Sequence, residues 1–351
     1  MRKKVLLGAV TAAGVALFFL SQFFSCSKET AKLKVRVGHL PNLTHAQALV
    51  GRANGVFESR LAPDAEIEWK TFNAGPSVIE AIFAGQVDMA YVGPSPAVNG
   101  YVRSGGEALR AVAGAASGGA ALVVRKDAGI VSPSDFRGKK IATPQFGNTQ
   151  DVSLRSWLAR HGLKTKEKGG DVQVLPLANA DQLTLFARKD IDASWTVEPW
   201  VSLFLGRGDV KVFLEESELW PGGKYAATLL VARKKFLEEH APLVRKFIEV
   251  HAELTDWIRR HPEEAKQALN EELEREIHQA VPKEVLDGAW GRVEFTTEPL
   301  QASIETQARA AYEAGFLKEE PNLAGFFDLR LLEEALQLRK GGVVLETTSG
   351  K

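Results

Sequence analysis

The chain has 351 residues, and its 44 Lys and Arg are matched by 44 Asp and Glu, so its formal net charge is zero. This length predicts about two domains, and the hydrophobic fraction of 45 % is ordinary for a globular protein. Because nucleic-acid binding normally needs a basic face, the balanced charge argues against a nucleic-acid partner.

The N-terminal 26 residues predict export rather than a folded element. The basic start "MRKK" precedes the apolar run "VLLGAVTAAGVALFFL", which is short for a membrane span, and "SQFFSC" ends in Cys26, the only cysteine. The pattern resembles a bacterial lipoprotein signal. It predicts a signal peptide over 1–26, a lipidated Cys26 and a lipoprotein anchored to a membrane in the periplasm or at the cell surface. An uncleaved anchor and a plain signal peptide are the alternatives.

From Leu33 onward, strands and helices alternate along the chain. The strand-like segments "LKVRVGHL", "EIEWKTF", "VDMAYVG" and "ALRAVAGA" are separated by predicted helices, one of which begins at Pro76. This order predicts an α/β fold with mostly parallel sheets flanked by helices. From Lys234 to about Leu338, apolar residues recur at helical spacing and predict helices.

A second strand–helix series repeats the first. "FAGQVDMAYVGPSP" parallels "FARKDIDASWTVEPW", and "ALVVRK" parallels "LLVARK". We infer two similar lobes, with lobe 1 formed by residues 33–120 and 230–338 and lobe 2 formed by residues 121–229. Two strands cross between these lobes in this interpretation, and they predict hinges at Ala120–Leu122 and Thr228–Leu230.

Polar and glycine-containing loops follow the predicted strands, where open α/β sheets bind their ligands. The candidate binding residues in these loops are Asn42, His45, Gly75, Pro76, Ser95, Gln145, Asn148 and Thr149. Most of them stand at helix starts, which present unpaired N–H groups and a partial positive charge, so the pattern predicts an anion site. The alternative is that Ser95, Asn148 and Thr149 only cap their own helices.

One carboxylate stands between two indoles in "DIDASWTVEPW". Glu198 precedes Pro199, which favours an extended backbone and a fixed side-chain direction at the strand end. Because indole faces attract cations, Trp195 and Glu198 predict a subsite for an ammonium or another nitrogen donor. The alternative is a surface glutamate beside two core tryptophans.

Several reaction chemistries lack their sequence motifs. The chain has no phosphate-binding loop of the GxxxxGK type and no GxSxG nucleophile elbow, and the candidate loops hold neither Arg nor Lys. His45 has no second metal-type residue nearby, which argues against zinc. Asp88 and Asp192, at the starts of two strands, are interpreted as structural caps. No catalytic residue, metal or cofactor is therefore expected.

Three segments together carry a family resemblance: "FNAGPSVIEAIFAGQVDMAYVGPSPA", "ALVVRKDAGIVSPSDFRGKKIATPQFGNTQD" and "DIDASWTVEPW". They resemble the nitrate/sulfonate/taurine group of ABC-transporter substrate-binding proteins, in collinear order over residues 33–318. The resemblance implies a two-lobed type II periplasmic-binding fold that closes on its ligand. It also implies that Pro76, Ser95 and the Asn148–Thr149 turn hold an anionic group, and that an acid at Glu198 receives an amine in taurine-like binders.

The function implied by this resemblance is transport rather than catalysis. An exported lipoprotein, expected to be a monomer, would capture a small anionic or zwitterionic solute, such as an aliphatic sulfonate or a taurine-like compound, and deliver it to the permease subunits of an ABC importer. Nitrate, bicarbonate and an aromatic heterocycle such as a thiamine-precursor pyrimidine, stacked between Trp195 and Trp200, are the alternative ligands. An enzyme is the alternative of another class, because a fold does not settle function.

Overall fold

The computed structural model of the protein describes residues 32–278 and 280–340. The predicted signal peptide 1–26 and its Cys26 lie outside these residues. Within the described ranges, no helix combines the length and the apolar character that crossing a membrane requires.

The described residues form eleven strands in two sheets. The strands are β1 Leu33–His39, β2 Ala65–Thr71, β3 Met89–Val92, β4 Leu109–Gly118, β5 Ala120–Arg125, β6 Lys140–Thr143, β7 Gln173–Pro176, β8 Ala193–Val197, β9 Val210–Glu215, β10 Ala226–Arg233 and β11 Val293–Phe295. Sheet 1 has the order β11-β4-β10-β3-β1-β2, and sheet 2 has the order β7-β6-β8-β5-β9.

Helices connect most of these strands and make up much of the C-terminal third of the chain. They are α1 Ala46–Ala53, α2 Val56–Leu61, α3 Gly75–Phe83, α4 Pro94–Arg103, α5 Thr149–Arg160, α6 Asn179–Ala187, α7 Trp200–Gly206, α8 Lys234–Glu239, α9 Ala241–Arg260, α10 Pro262–Ile277, α11 Lys283–Trp290, α12 Gln301–Glu313 and α13 Arg330–Lys340.

In each sheet, one interior strand is antiparallel to both of its neighbours. In sheet 2, β6 is parallel to β7 and β8, whereas β5 is antiparallel to β8 and β9. In sheet 1, β1 is parallel to β3, whereas β10 is antiparallel to β3 and β4. The reversed strand is in both cases the one that arrives from the other sheet, since β5 follows β4 and β10 follows β9. These two strands contain the repeated segments "ALVVRK" and "LLVARK".

The internal repeat extends to a pair of ion pairs. Asp88, just before β3, accepts a backbone N–H from β1 and lies 2.7 Å from Arg233 at the end of β10. Asp192, just before β8, accepts a backbone N–H from β6 and lies 3.2 Å from Arg125 at the end of β5. Each aspartate thus joins the crossing strand to a parallel strand of its sheet, which is the structural role expected from the sequence.

Apolar side chains on both sides of the sheets build the cores. In sheet 1, Leu229 of β10 packs with Val78 and Ile82 of α3, Val98 of α4 and Ile304 of α12, all of them buried. Removing this apolar surface from water is the main force that holds the helices on the sheet. Two further clusters lie in the second half of the fold, where sheet 2 packs on its own helices.

The chain passes between the sheets at Gly118–Gly119 and over residues 216–225. Gly118 and Gly119 have φ values of 82° and 80°, which favour glycine. The hinges predicted near Ala120–Leu122 and Thr228–Leu230 do not fall on these residues. Ala121 and Leu122 are paired with both β8 and β9 in sheet 2, and Leu229 and Leu230 are paired with both β3 and β4 in sheet 1. Bending there would break two ladders of hydrogen bonds.

Candidate functional site

A small cavity of about 30 Å³ lies where loops from the two sheets meet. Its walls come from the loops after β1, β2 and β3 of sheet 1, from the loop after β6 of sheet 2, and from the ends of β8 and β10. The lining residues are Leu40, Asn42, Thr44, His45, Gly75, Gly93, Pro96, Asn148, Thr149, Gln150, Val197 and Ala227. This is the position at which open α/β sheets bind ligands.

Three helices begin at this cavity. Gly75 is the first residue of α3, Gly93 precedes the first residue of α4, and Thr149 is the first residue of α5. The N-terminus of a helix carries a partial positive charge and N–H groups without a partner inside the helix. Three such ends around one cavity favour a negatively charged guest.

Glycines allow these helix starts to approach one another. A Cβ placed on Gly93 would overlap Thr149 Oγ1, and a Cβ placed on Gly75 would lie 2.6 Å from Pro96 Cγ. The first of these contacts joins a loop of sheet 1 to a loop of sheet 2. The absence of a side chain at Gly93 is therefore a condition for the two sheets to meet as they do.

The hydroxyl of Thr149 lacks a hydrogen-bond partner. Thr149 is 4 % exposed, and its Oγ1 is buried without a partner among the described residues. Buried polar atoms are normally paired, since leaving one unpaired costs about 1–3 kcal/mol. A ligand in the cavity that Thr149 lines would supply the missing bond.

His45 is a neutral donor in this site. Burial, with a contribution from nearby His39, lowers the pKa of His45 to about 3. The N–H of Leu40 donates to His45 Nδ1 at 3.3 Å, so the proton of the neutral ring stands on Nε2. The imidazole can therefore donate one hydrogen bond but brings no charge.

Two asparagines at the cavity are already oriented by the protein. Asn42 Oδ1 accepts from Trp200 Nε1 at 3.0 Å, which leaves the amide group of Asn42 as a donor. Asn148 Oδ1 accepts from the N–H of Asp151 at 2.9 Å, and its Nδ2 donates to Gln150 Oε1 at 2.8 Å. Asn148 thus caps its own helix, as the simpler interpretation of the sequence held.

The lining carries no full charge. Among the residues that the structure describes, those that line the cavity include no Asp, Glu, Lys or Arg, and His45 is neutral. An anion bound here would be held by peptide dipoles, by hydroxyl and amide groups and by a neutral imidazole, which stabilise a negative charge without a counter-ion.

Glu198 is not among the residues that line the cavity, and its carboxylate is engaged by other side chains. Glu198 is fully buried; it accepts from the N–H of Ser202 at 3.1 Å and from Ser202 Oγ at 2.9 Å. Its Oε1 lies 3.6 Å from Arg292 Nη1, and the same guanidinium pairs with Glu215. Burial raises the pKa of Glu198 to about 7, despite the opposing effects of Ser202 and Arg292. The nitrogen partner predicted for Glu198 is therefore the protein's own Arg292.

Trp195 is a core residue. It is fully buried in the cluster that also contains Phe136 and Trp157, and its Nε1 donates to Glu216 Oε2 at 2.7 Å. The predicted ligand contact of Trp195 is therefore wrong, because the alternation of β8 directs this side chain toward the helices. Trp200 is also buried, so the two indoles do not form stacking walls around the cavity.

Three other candidate residues lie near the cavity without lining it. Pro76 occupies the first turn of α3, next to Gly75. Gln145 lies 3.4 Å from Ser77 Oγ and connects a loop of sheet 2 to α3. Ser95 lines a different, larger cavity. Asn42, His45, Gly75, Asn148 and Thr149 are the candidates that the structure brings together.

The structure adds lining residues that the sequence interpretation did not select. They are Leu40, Thr44, Gly93, Pro96, Gln150, Val197 and Ala227. A usable signal existed for Gly93, because a glycine directly before a helix start often marks a close approach of backbone. Val197 and Ala227 carry no signal of this kind.

The sequence matches a model of the NMT1-like family over residues 28–271, which is more than half of the chain. A taurine-binding periplasmic protein of Escherichia coli (strain K12) is 28 % identical over 200 residues. The match covers 57 % of this chain and 59 % of that protein, so it spans less than two thirds of the relative's length.

Two solved structures share the fold. The alkanesulfonate-binding protein SsuA from Xanthomonas axonopodis pv. citri, bound to MOPS, superposes with a TM-score of 0.70 at 20 % identity over 84 % of this chain and 98 % of that one. The periplasmic nitrate-binding protein NrtA from Synechocystis PCC 6803 has a TM-score of 0.73 at 14 % identity, over 89 % and 90 % of the two chains. The predicted family resemblance and periplasmic-binding fold are confirmed.

Proposed function

The chain belongs to the NMT1-like family, and on this premise we propose that it is an extracytoplasmic binding protein of an ABC importer. It captures a small sulfonate between two lobes, one built on sheet 1 and the other on sheet 2, and delivers it to a permease. In this proposal lobe 2 ends before β10, because all of Ala226–Arg233 belongs to sheet 1. Similarity to taurine-, alkanesulfonate- and nitrate-binding proteins supports this class. The observation that carries the ligand proposal is the uncharged cavity at three helix starts, with the unpartnered hydroxyl of Thr149.

A sulfonate matches the donors around the cavity. Its three oxygens share one negative charge, stay ionised at any physiological pH and accept several hydrogen bonds. The donors available are the hydroxyl of Thr149, the amide of Asn42, the imidazole Nε2 of His45 and the first N–H groups of the helices. An uncharged set of donors selects a monoanion without the cost of burying an arginine or lysine.

The site favours a sulfonate without an amine over taurine. An ammonium needs a carboxylate or several carbonyl acceptors when it leaves water. No carboxylate lines the cavity within the described residues, and the oxygens of Glu198 are engaged by Ser202 and Arg292. An ammonium that entered the cavity would therefore lose its hydration without a charged partner.

Capture follows from contacts to both sheets. The cavity is lined by Gly93 and Asn42 from sheet 1 and by Thr149 from the sheet 2 side. A ligand that contacts both sides binds the closed arrangement better than either side alone, so it shifts the population toward closure. The closed form is the one that would dock on the permease. An anchor at a lipidated Cys26 would keep it at the membrane surface.

Nitrate is the second candidate, and the size of the cavity favours it. A volume of about 30 Å³ is far below the several hundred Å³ of pockets for drug-sized ligands. Nitrate also carries one negative charge on three oxygens. The similarity to a nitrate-binding protein over most of both chains supports the same alternative.

A thermal-shift panel tests the ligand. The full chain is heated with methanesulfonate, ethanesulfonate, taurine, nitrate, bicarbonate and an aminopyrimidine. Because a ligand that binds only the native state raises the melting temperature, the two alkanesulfonates are expected to give the largest rise. Thr149→Val, which keeps the shape but removes the hydroxyl, should reduce it. A rise with nitrate alone would select the second candidate, and no rise with any anion would overturn the proposal.

A further inference from the structure

A second cavity of about 190 Å³ lies between α5, the segment 216–220 and α12. We propose that it is a second binding site, for a small hydroxylated organic acid, and that the bound acid stabilises the contact between the two halves of the fold. Ser95 of α4, which belongs to the first half, is one of its lining residues. The proposal does not rest on the identity of the ligand in the smaller cavity.

Three buried polar atoms on side chains that line this cavity lack partners. Ser95 Oγ, Gln307 Oε1 and Trp220 Nε1 make no hydrogen bond to any described residue, and Ser95 and Gln307 are 3 % and 4 % exposed. The other end of the Gln307 side chain is used, since Nε2 donates to Ala226 O at 3.0 Å. Together they offer one acceptor, one donor and one hydroxyl that can do either. A ligand hydroxyl can donate to Gln307 Oε1, and ligand carboxylate oxygens can accept from Trp220 Nε1 and Ser95 Oγ.

The charges on the wall favour an anion at the open side. Arg160 and Arg309 line the cavity, and neither forms an ion pair within the part of the chain that the structure describes. The acids at the wall are Glu313 and Glu216. Glu216 is buried, accepts from Trp195 Nε1 and Ser153 Oγ, and has its pKa raised by burial to about 7. Near neutral pH the two guanidiniums therefore face one full negative charge, on Glu313, and one partial charge, on Glu216, which also interacts with Arg160.

The volume limits the size of the guest. An apolar cavity of about 150 Å³ holds one benzene molecule, so this slightly larger cavity takes a compact organic acid rather than a nucleotide or a peptide. Apolar side chains, including Val152, Leu219 and Ala310, line part of the wall and suit a short carbon chain.

The walls come from both halves of the fold. Helix α5 and residues 216–220 follow strands of sheet 2, whereas α12 packs on sheet 1 through Ile304. A molecule held between them strengthens the same closed arrangement that buries the smaller cavity. Linkage then requires that each ligand raise the affinity for the other by the same factor.

Calorimetric titration of the full chain with L-malate tests the site. Succinate, which lacks the hydroxyl, and 1,2,4-butanetriol, which lacks the carboxylates, are the matched controls. We expect malate to bind and each control to bind at least about tenfold more weakly, the loss expected for one hydrogen bond or more. Equal binding of succinate or butanetriol would overturn the ligand class, and no heat with malate at millimolar concentration would overturn the site.

Two variants locate the binding. Ser95→Ala removes a hydroxyl that has no partner among the described residues. Trp220→Phe removes an N–H that likewise has none there, while keeping a ring to stack on Tyr225, whose centroid lies 5.6 Å away. Each is expected to weaken malate binding by about tenfold. Ser59→Ala removes an exposed hydroxyl of α2 that lines neither cavity, and it should leave malate binding unchanged. Unchanged malate affinity in both Ser95→Ala and Trp220→Phe, or its loss in Ser59→Ala, would overturn the proposal.

Discussion

Thr149 Oγ1 lies so close to Gly93 that a Cβ on this residue would overlap the oxygen. The two residues belong to loops of different sheets, so this contact measures how near the sheets approach. Gly93→Ala is expected to keep the halves apart and to abolish ligand binding while leaving the ligand-free melting temperature within a few degrees. Thermal shift with methanesulfonate and small-angle scattering with and without the anion measure both effects.

A double-variant comparison controls for other effects of the alanine. Thr149→Ala removes the oxygen that a Cβ on Gly93 would meet. Adding Gly93→Ala to this background should therefore cost much less affinity than adding it to the natural chain. Equal losses in the two backgrounds would show that Gly93 acts through something other than Thr149.

The partner of Glu198 leads to a prediction about amines. Because Arg292 and Ser202 engage the Glu198 carboxylate, the protein should bind ethanesulfonate more tightly than taurine. Glu198→Gln should change both affinities by the same factor. Titration calorimetry of the two ligands on both proteins measures the ratio. A selective loss of taurine binding in the variant would place an ammonium at Glu198 after all.

Two buried carboxyls predict that the free energy of unfolding falls as the pH rises toward and through 7. Burial raises the pKa of Glu198 and Glu216 from 4.5 to about 7. The folded protein thus holds protons that the unfolded chain has released, and this stabilisation, complete below pH 4.5, is lost as the pH rises through 7. Between pH 6.5 and 8 the net loss is expected to be about 1 kcal/mol in urea titrations.

Two histidines confine this effect to the upper part of the pH range. Burial lowers the pKa of His45 to about 3 and that of His251 to about 4. The stabilisation from the neutral histidines is complete above their unfolded pKa of 6.5 and is lost as the pH falls. Below pH 6.5 it therefore offsets the pH dependence of the free energy of unfolding that the two glutamates cause. The combined variant Glu198→Gln/Glu216→Gln should no longer lose stability above pH 6.5. A fall as steep as in the natural chain would contradict the assignment.

The two ion pairs of the repeat should differ in their effect on stability. Asp88 is 1 % exposed; burial opposes its ionisation, but hydrogen bonds from Arg36 and Arg233 outweigh this and hold its pKa below the ordinary value. Asp88→Asn leaves both guanidiniums without their charge partner and should lower the free energy of unfolding by about 3 kcal/mol. Urea titration measures the loss.

Asp192→Asn is the matched comparison. The side chain of Asp192 is 21 % exposed, and its partner Arg125 also pairs with Asp127 at 3.0 Å. The guanidinium therefore keeps one carboxylate after the substitution, and the expected loss is about 1 kcal/mol. A loss as large as that of Asp88→Asn would mean that the second carboxylate does not compensate.

Most of the architecture follows from local patterns. The alternation in β1, the helix start at Pro76 and the repeated segments that form β5 and β10 are visible in single stretches of sequence. Strand β11 is not, because its three residues Val293–Phe295 are too short to show a period and form a strand only by pairing with β4. Strand β9, at the edge of sheet 2, is also absent from the predicted strands, although it has six residues.

The site was harder to predict because side-chain direction depends on distant contacts. The sequence motif places Trp195 and Glu198 in one predicted subsite, yet the period of two along β8 puts Trp195 and Val197 on one face and Glu198 on the other. No local pattern reveals that Arg292, almost a hundred positions later, takes the place opposite Glu198. The helix starts could be predicted, whereas the turning of Ser95 into another cavity could not.

Ala121 and Glu215 are partners across β5 and β9, so the chain enters and leaves sheet 2 through adjacent points. Because these two connections lie side by side, sheet 2 and its helices are joined to sheet 1 at one place instead of two separated places. A rotation of one half against the other must therefore turn about an axis through this pivot. The smaller cavity borders this pivot at Val197, the strand partner of Ala120, so such a rotation opens it least there and most at its far side.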